Sequence, residues 1–175
     1  MRDTDVVLDD GGTIHLRSVE PADAPALVAL HGRFSERTRY LRYFGAYPRI
    51  PARDLQRFAN VDHRDREAFV ALLAGDIVAV GRYERLTPDS SAAEVAFVVE
   101  DAHQGRGIAP VLLDQLTTVA REVGIERFVA EVMPGNSAML HVFAEAGHRV
   151  QSHFADGVIR VEFPIDGGPA EPDLP

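Results

Sequence analysis

Apolar and polar residues alternate along "TIHLRSV" (Thr13 to Val19), and a period of two predicts a strand with one buried face. Glu20-Pro21 then opens a helical stretch over residues 22–34, since proline is tolerated where the first-turn N–H has no intrahelical acceptor. Ser35 predicts an N-cap for "ERTRYLRYF", and Pro51 suits the first turn of "ARDLQRFA". The run "EAFVALLAGDIVAVGRYERL" reads as two strands joined near Gly75-Asp76, and "AEVAFVVE" as a third after the turn-forming "TPDSS". In "GIAPVLLDQLTTVAREV" the apolar positions Val111, Leu112, Leu116, Val119 and Val123 follow helical spacing, closed by Gly124. "RFVAEVM" predicts a buried strand, and "NSAMLHVFAEAG" a helix begun by Asn136 and ended by Gly147. "HRVQSHFA" and "VIRVEFP" flank Asp156-Gly157, a two-residue hairpin turn. The pattern therefore predicts an α/β chain with an N-terminal segment (residues 1–12), one folded domain (13–164) and a Gly-, Pro- and acid-rich end (165–175), expected to be a flexible tail or the stub of an interdomain linker.

Composition removes several function classes. A length of 175 residues with 46% apolar and 26% charged residues fits one globular domain, and no apolar run approaches the roughly 18 residues of a membrane span. The acidic start "MRDTDVVLDD" carries no signal-peptide core, and the lack of cysteine excludes disulfides and thiolate chemistry and fits the reducing cytoplasm, the expected location. All 18 basic residues are arginine, so no lysine is present to form a Schiff base or clamp a phosphate. A formal charge of -9 argues against nucleic acid as a partner. The seven histidines form no helical pair, so no metal site is expected. The arginine-rich stretch from Arg33 to Arg49 is read as amphipathic helix, with Tyr40, Phe44 and Tyr47 recurring on one packed face.

Between the strand "AEVAFVVE" and the helix that follows lies "DAHQGRGIAP". Two glycines one residue apart, Gly105 and Gly107, let the backbone fold into a concavity of N–H groups, to which the next helix adds its positive N-terminal dipole. Such a concavity suits phosphate. A P-loop is impossible without lysine, and Pro110 stands where the third glycine of a dinucleotide fingerprint would fall.

The run Gln104-Gly105-Arg106-Gly107-Ile108-Ala109 resembles the signature of the GNAT acyl-CoA-dependent N-acetyltransferases, in which Gln or Arg is followed by two variable residues, Gly, one variable residue, and Gly or Ala. "NSAMLHVFAEAGH" is similar to that family's second segment, and the resemblance spans residues 13–164. It implies a central mixed sheet flanked by helices and acetyl-CoA as co-substrate, without a metal. It further implies that backbone groups of Phe97, Val98 and Val99 hold the pantetheine arm. Main-chain N–H groups from Gly105 through Ile108 and Ala109 would hold the diphosphate, Pro110 having none to give. Gln104 and Arg106 would flank the phosphates, Gly107 would be the least tolerant position, and Asn136 would contact the cofactor arm while capping its helix. Where many members carry a tyrosine to protonate the leaving sulfur, this chain has Phe143, which leaves an apolar wall; a thiolate leaves without an acid far more readily than an alkoxide. His148 replaces the usual aromatic after the helix-ending glycine.

The acceptor amine must lose a proton before it attacks, which calls for a base. Glu94 is the candidate: period-two alternation puts it on one strand face with Ala96 and Val98, opposite Val95, Phe97 and Val99, where partial desolvation raises a carboxylate pKa. Glu84, Asp89 and Glu100 sit in turn-like or exposed contexts. The segments "SERTRYLRYF", "FANVDHRDREAFVAL" and "AAEVAFVVEDAHQGRGIA" resemble the Pat-type bacterial protein lysine acetyltransferases, which implies Glu94 as catalytic base. The expected partner is then a protein substrate of the AMP-forming acyl-CoA synthetase class, and a covalently linked regulatory or synthetase-like domain is compatible with the tail. A small-molecule amine acetyltransferase and a non-catalytic acyl-CoA sensor stay open as alternatives, the second because of Phe143.

Overall fold

Residues 3–146 and 149–165 are described by a computed structural model. The chain runs β1 (Asp3–Val7), β2 (Thr13–Ser18), a 3-10 turn (Pro21–Asp23), α1 (Ala24–Arg33), α2 (Glu36–Tyr43), α3 (Ala52–Ala59), β3 (Arg66–Leu73), β4 (Asp76–Arg85) and β5 (Ala92–Val99). A second 3-10 turn (Asp101–His103) leads to α4 (Ile108–Glu122), β6 (Arg127–Val132), α5 (Ser137–Ala144), β7 (Gln151–Ala155) and β8 (Val158–Pro164). All eight strands join one mixed sheet in the order β1-β2-β3-β4-β5-β6-β8-β7, antiparallel everywhere except at β5–β6. The expected α/β architecture with a mixed sheet is what is found.

Local chemistry fixes the corners. The β3–β4 turn passes through Ala74 and Gly75 at φ 50° and 87°, and the β7–β8 turn through Asp156 and Gly157 at 54° and 79°, the paired left-handed residues of a tight hairpin. The Ser35 side chain accepts from the Thr38 N–H and so caps α2. Arg17 grips Asp23 through two bonds of 2.7 and 2.8 Å, and the same carboxylate accepts from the Glu20 N–H, fixing the angle between β2 and α1. Helices α1 to α3 cover one face of the sheet, here the front, over Leu27, Leu30, Phe34, Val70, Val80 and Val98. The back face packs Phe69, Phe97 and Phe128 against Leu112 and Leu116 of α4 and Phe143 of α5. Gly81 on β4 lets α4 approach closely: a Cβ there would lie 2.8 Å from the Phe97 ring and 3.2 Å from Leu112 Cβ.

Three expectations change. Residues 1–12, where no element is predicted, supply edge strand β1; four of its five residues are exposed, so "DTDVV" shows no buried face, and His15 on β2 holds it through Asp3 and Asp5 at 2.5 and 2.7 Å. Ile165, placed in the tail by its neighbours' composition, is fully buried, with its N–H on the Glu126 carbonyl. The aromatic face of α2 is also different. Phe44 takes φ 61° and ends the helix, so Tyr40 and Phe44 stay exposed, while Tyr43 and Tyr47 stack at 4.2 Å and both pack edge-on against the buried His31 ring. The expectations for Gly147, His148 and residues 166–175 lie outside the described residues.

Candidate active site

Strands β5 and β6 run parallel and pair only over Ala92, Ala93 and Glu94 with Arg127, Phe128 and Val129. Beyond Glu94 they part, because β6 is held along its length by β8 and β5 by β4. The split leaves a cavity of about 520 Å³ between them, walled by α2 at the front and by the loops that open α4 and α5.

One edge of β5 is therefore free, and the ladder decides which residues face it. The Glu100 N–H bonds the Val78 carbonyl and the Leu86 N–H bonds the Ala92 carbonyl, so the even-numbered residues of β5 are the ones hydrogen-bonded to β4. Phe97 and Val99 consequently turn their N–H and C=O groups into the cavity, as does the Val95 carbonyl just past the fork, whereas the main-chain groups of Val98 are taken up by β4. Of the three residues expected to pair with an extended arm, Phe97 and Val99 are so oriented and Val98 is not; Val95 joins them. The Val99 carbonyl already accepts from the Gln104 side-chain amide at 3.1 Å.

At the end of β5 the loop forms a concavity through two left-handed glycines, Gly105 at φ 77° and Gly107 at φ 84°. The first-turn N–H groups of α4, on Ile108 and Ala109, have no acceptor within the helix, and Pro110 offers none. A Cβ on Gly107 would meet nothing within 4 Å, so the space in front of this helix start is open and the constraint on Gly107 is its backbone angle. Gln104 lines the cavity, but its amide is spent on Thr38 Oγ1 at 3.2 Å and on Val99, tying α2 to the end of β5. Arg106 departs from expectation. It does not line the cavity, and its guanidinium pairs with Asp10 in the β1–β2 turn at 2.6 Å while contacting His103 at 3.1 Å. The reason is long-range: Asp10 is 96 residues away in sequence, and the hairpin that brings it close begins with a strand that the hydrophobic pattern does not reveal.

Glu94 stands at the fork where the strands part, on the front face with Ala96 and Val98 as alternation predicts. It is open to the cavity, yet the surrounding walls remove enough water that burial is the largest cause raising its pKa above the usual 4.5. Glu131 adds to the rise and Arg42 opposes it. Glu131 lies two residues beyond the Glu94 partner Val129, hence on the same face, and lines the same cavity. Of the other candidate carboxylates, Glu84 pairs with Arg57 and Glu100 with Arg33. Asn136 caps α5 by accepting from the Met139 N–H at 3.2 Å and also lines the cavity. Phe143 is 1% exposed and forms its apolar floor, with its ring centre 6.1 Å from that of Phe97.

The front wall is what sequence reasoning missed. Arg37, Thr38, Leu41, Arg42 and Phe44 of the α2 region line the cavity, some 60 residues before the signature loop. Asp101 anchors them, accepting from Ser35 N–H at 3.0 Å, Ser35 Oγ at 2.7 Å and Thr38 Oγ1 at 3.0 Å, which holds its own pKa down against the effect of burial. Nothing local marks α2 for this role. Glu131 did leave a signal, as a charged residue inside the apolar run "RFVAEV".

With this geometry described, similarity to known proteins is informative. The family model of the acetyltransferase (GNAT) family matches residues 34–148. The acetyltransferase Pat of Mycolicibacterium smegmatis is 34% identical over 170 residues, covering 94% of this chain and 50% of that protein, so the chain spans half the length of this relative. The crystal structure of the GNAT domain of S. lividans PAT superposes with a TM-score of 0.87 at 44% identity, over 93% of this chain and 96% of that one. The cAMP-binding acyltransferase from Mycobacterium smegmatis superposes with a TM-score of 0.67 at 29% identity, over 99% of this chain and 51% of that one.

Proposed function

The chain belongs to the acetyltransferase (GNAT) family, and from that premise we propose that it transfers acetyl from acetyl-CoA to the side-chain amine of a protein lysine, with Glu94 as general base. One observation carries the reading: a raised-pKa carboxylate, a free strand edge and an N–H-lined concavity all open into one cavity of about 520 Å³.

The residues present fit acetyl-CoA. The concavity of Gly105, Gly107, Ile108 and Ala109 offers N–H donors to a diphosphate, with no side chain in the way at Gly107. The free edge, made of the Val95 carbonyl, both main-chain groups of Phe97 and the Val99 N–H, offers alternating acceptors and donors to an amide-bearing arm, as a neighbouring strand would. Phe143 and Phe97 supply an apolar wall that keeps water from the thioester end. The bound thioester supplies the acetyl group and a sulfur that leaves as thiolate. Glu94 would take the proton of the incoming ammonium, directly or through one water, and the Phe97 N–H, which faces the cavity, would donate to the carbonyl oxygen. Phe143 cannot protonate sulfur, and the step needs no such proton because a thiolate is a good leaving group.

Similarity to the Pat proteins supports the acetyltransferase reading, and the resemblance of the front segments to the Pat-type protein lysine acetyltransferases implies a protein lysine as acceptor and an AMP-forming acyl-CoA synthetase as its bearer. The twofold length of the M. smegmatis relatives supports a further, covalently linked regulatory or synthetase-like domain in the intact protein. The test is incubation with labelled acetyl-CoA and a purified AMP-forming synthetase, read by intact mass and synthetase activity. Because this chain has no lysine, label on its own side chains is excluded, and one acetyl increment on the synthetase with loss of its activity is expected. Unmodified synthetases alongside rapid acetylation of free polyamines or amino acids would overturn the protein-acceptor reading.

A further inference from the structure

We propose that Arg37, on α2 and outside the signature loop, is the cation that binds the cofactor diphosphate. This rests on the acetyl-CoA reading above and assigns a charge that the loop does not supply. Backbone N–H groups and a helix dipole give a diphosphate hydrogen bonds and partial charges but no full positive charge. The chain contains no lysine, and Arg106, the one cation within the loop, is held by Asp10 outside the cavity. Two arginines do line the cavity, Arg37 and Arg42. Arg42 lies at the catalytic end, where its charge acts on Glu94 and its guanidinium sits 4.7 Å over the Tyr43 ring.

Arg37 belongs to the opposite end. Its neighbour Thr38 is bonded to both Asp101 and Gln104, the residues that lead into the glycine loop, so α2 is pinned beside the phosphate concavity. From there Arg37 reaches across the split between the strands and donates to the Gly135 carbonyl at 3.3 Å, a long bond to a neutral acceptor. Among the described residues it has no carboxylate partner, unlike Arg106, Arg33 and Arg57. A guanidinium that spans the groove on one weak bond exchanges it readily for a phosphate oxygen, which is charged and accepts two parallel bonds. Because α2 also carries Leu41 and Arg42, this exchange would fix the front wall of the cavity when the cofactor is in place.

The experiment compares CoA with a donor that lacks phosphates. Calorimetric titration of Arg37→Gln with CoA is expected to show affinity weakened roughly 10- to 100-fold, with a shallower salt dependence, and Arg37→Lys to recover part of the loss. With S-acetylpantetheine as donor, kcat/KM of Arg37→Gln is expected to match the wild-type value, which a general folding defect would not allow. The exposed Arg53→Gln removes the same charge away from the cavity and is expected to leave CoA affinity unchanged. Wild-type CoA affinity in Arg37→Gln, or equal losses with both donors, would overturn the assignment to Arg37 alone. Failure of the wild-type protein to bind CoA would overturn the acetyl-CoA reading and this assignment with it.

Discussion

As the proposed general base, Glu94 would serve catalysis at a cost to stability. Its pKa is raised in the folded state by burial and by Glu131, so the proton is bound more tightly folded than unfolded. A raised carboxyl pKa contributes stability that is fully present below the unfolded value of about 4.5 and is lost as pH rises through the folded value. Ionised Glu94, the form that the proposed base role needs, is thus the less stable form of the fold. Glu94→Gln should lower turnover by roughly 10²- to 10⁴-fold at neutral pH with partial recovery in alkali, where more amine is already neutral, while CoA affinity is kept. The same variant should melt higher than wild type at pH 7, with the gap closing as pH falls below the ordinary glutamate value. Wild-type turnover across pH would show that another group, or water, is the base. A melting temperature at or below wild type at pH 7 would show that ionised Glu94 is not destabilising.

At the scale of elements, the sites depend on how closely α4 lies on the sheet. Leu112 of α4 and the Phe97 ring meet over Gly81, where there is no room for a methyl group. Gly81→Ala should therefore cost about 1–3 kcal/mol, the range for overpacking a filled core. Phe97 must move to accommodate it, and since Phe97 presents its main chain to the cavity, CoA affinity should fall along with the melting temperature. Loss of stability with unchanged CoA affinity would mean that the ring shifts without its backbone. The cofactor-side elements are legible in sequence because their signals are local: a strand of period two, two glycines, a helix of period 3.6 and an Asn cap all lie within residues 92–144. Strand β1 is not legible, since a mostly exposed edge strand carries no alternation to read.

At the scale of the whole chain, its net charge of -9 acts at long range. On the proposed protein-lysine reading it favours an acceptor in a basic segment, through steering that salt screens over about 8 Å. With such an acceptor, kcat/KM should fall roughly tenfold between low and high salt while kcat at saturation changes little, as expected when only encounter is affected. A flat or rising salt profile would mean that the acceptor surface does not complement this charge.

By itself the sequence determined the α/β order of elements, the glycine loop, the Asn136 cap and the face on which Glu94 lies, because each depends on neighbours a few residues apart. It also determined that no lysine of this chain takes part. Only the tertiary structure decided that Arg106 turns to Asp10, that Val98 spends its main chain on β4 while Phe97 and Val99 face the cavity, and that α2 forms the front wall with Arg37 across the groove. Those outcomes depend on strand pairing parity and on partners 66 to 98 residues apart, and a chain read along its length carries no signal of which distant residues the fold will set side by side.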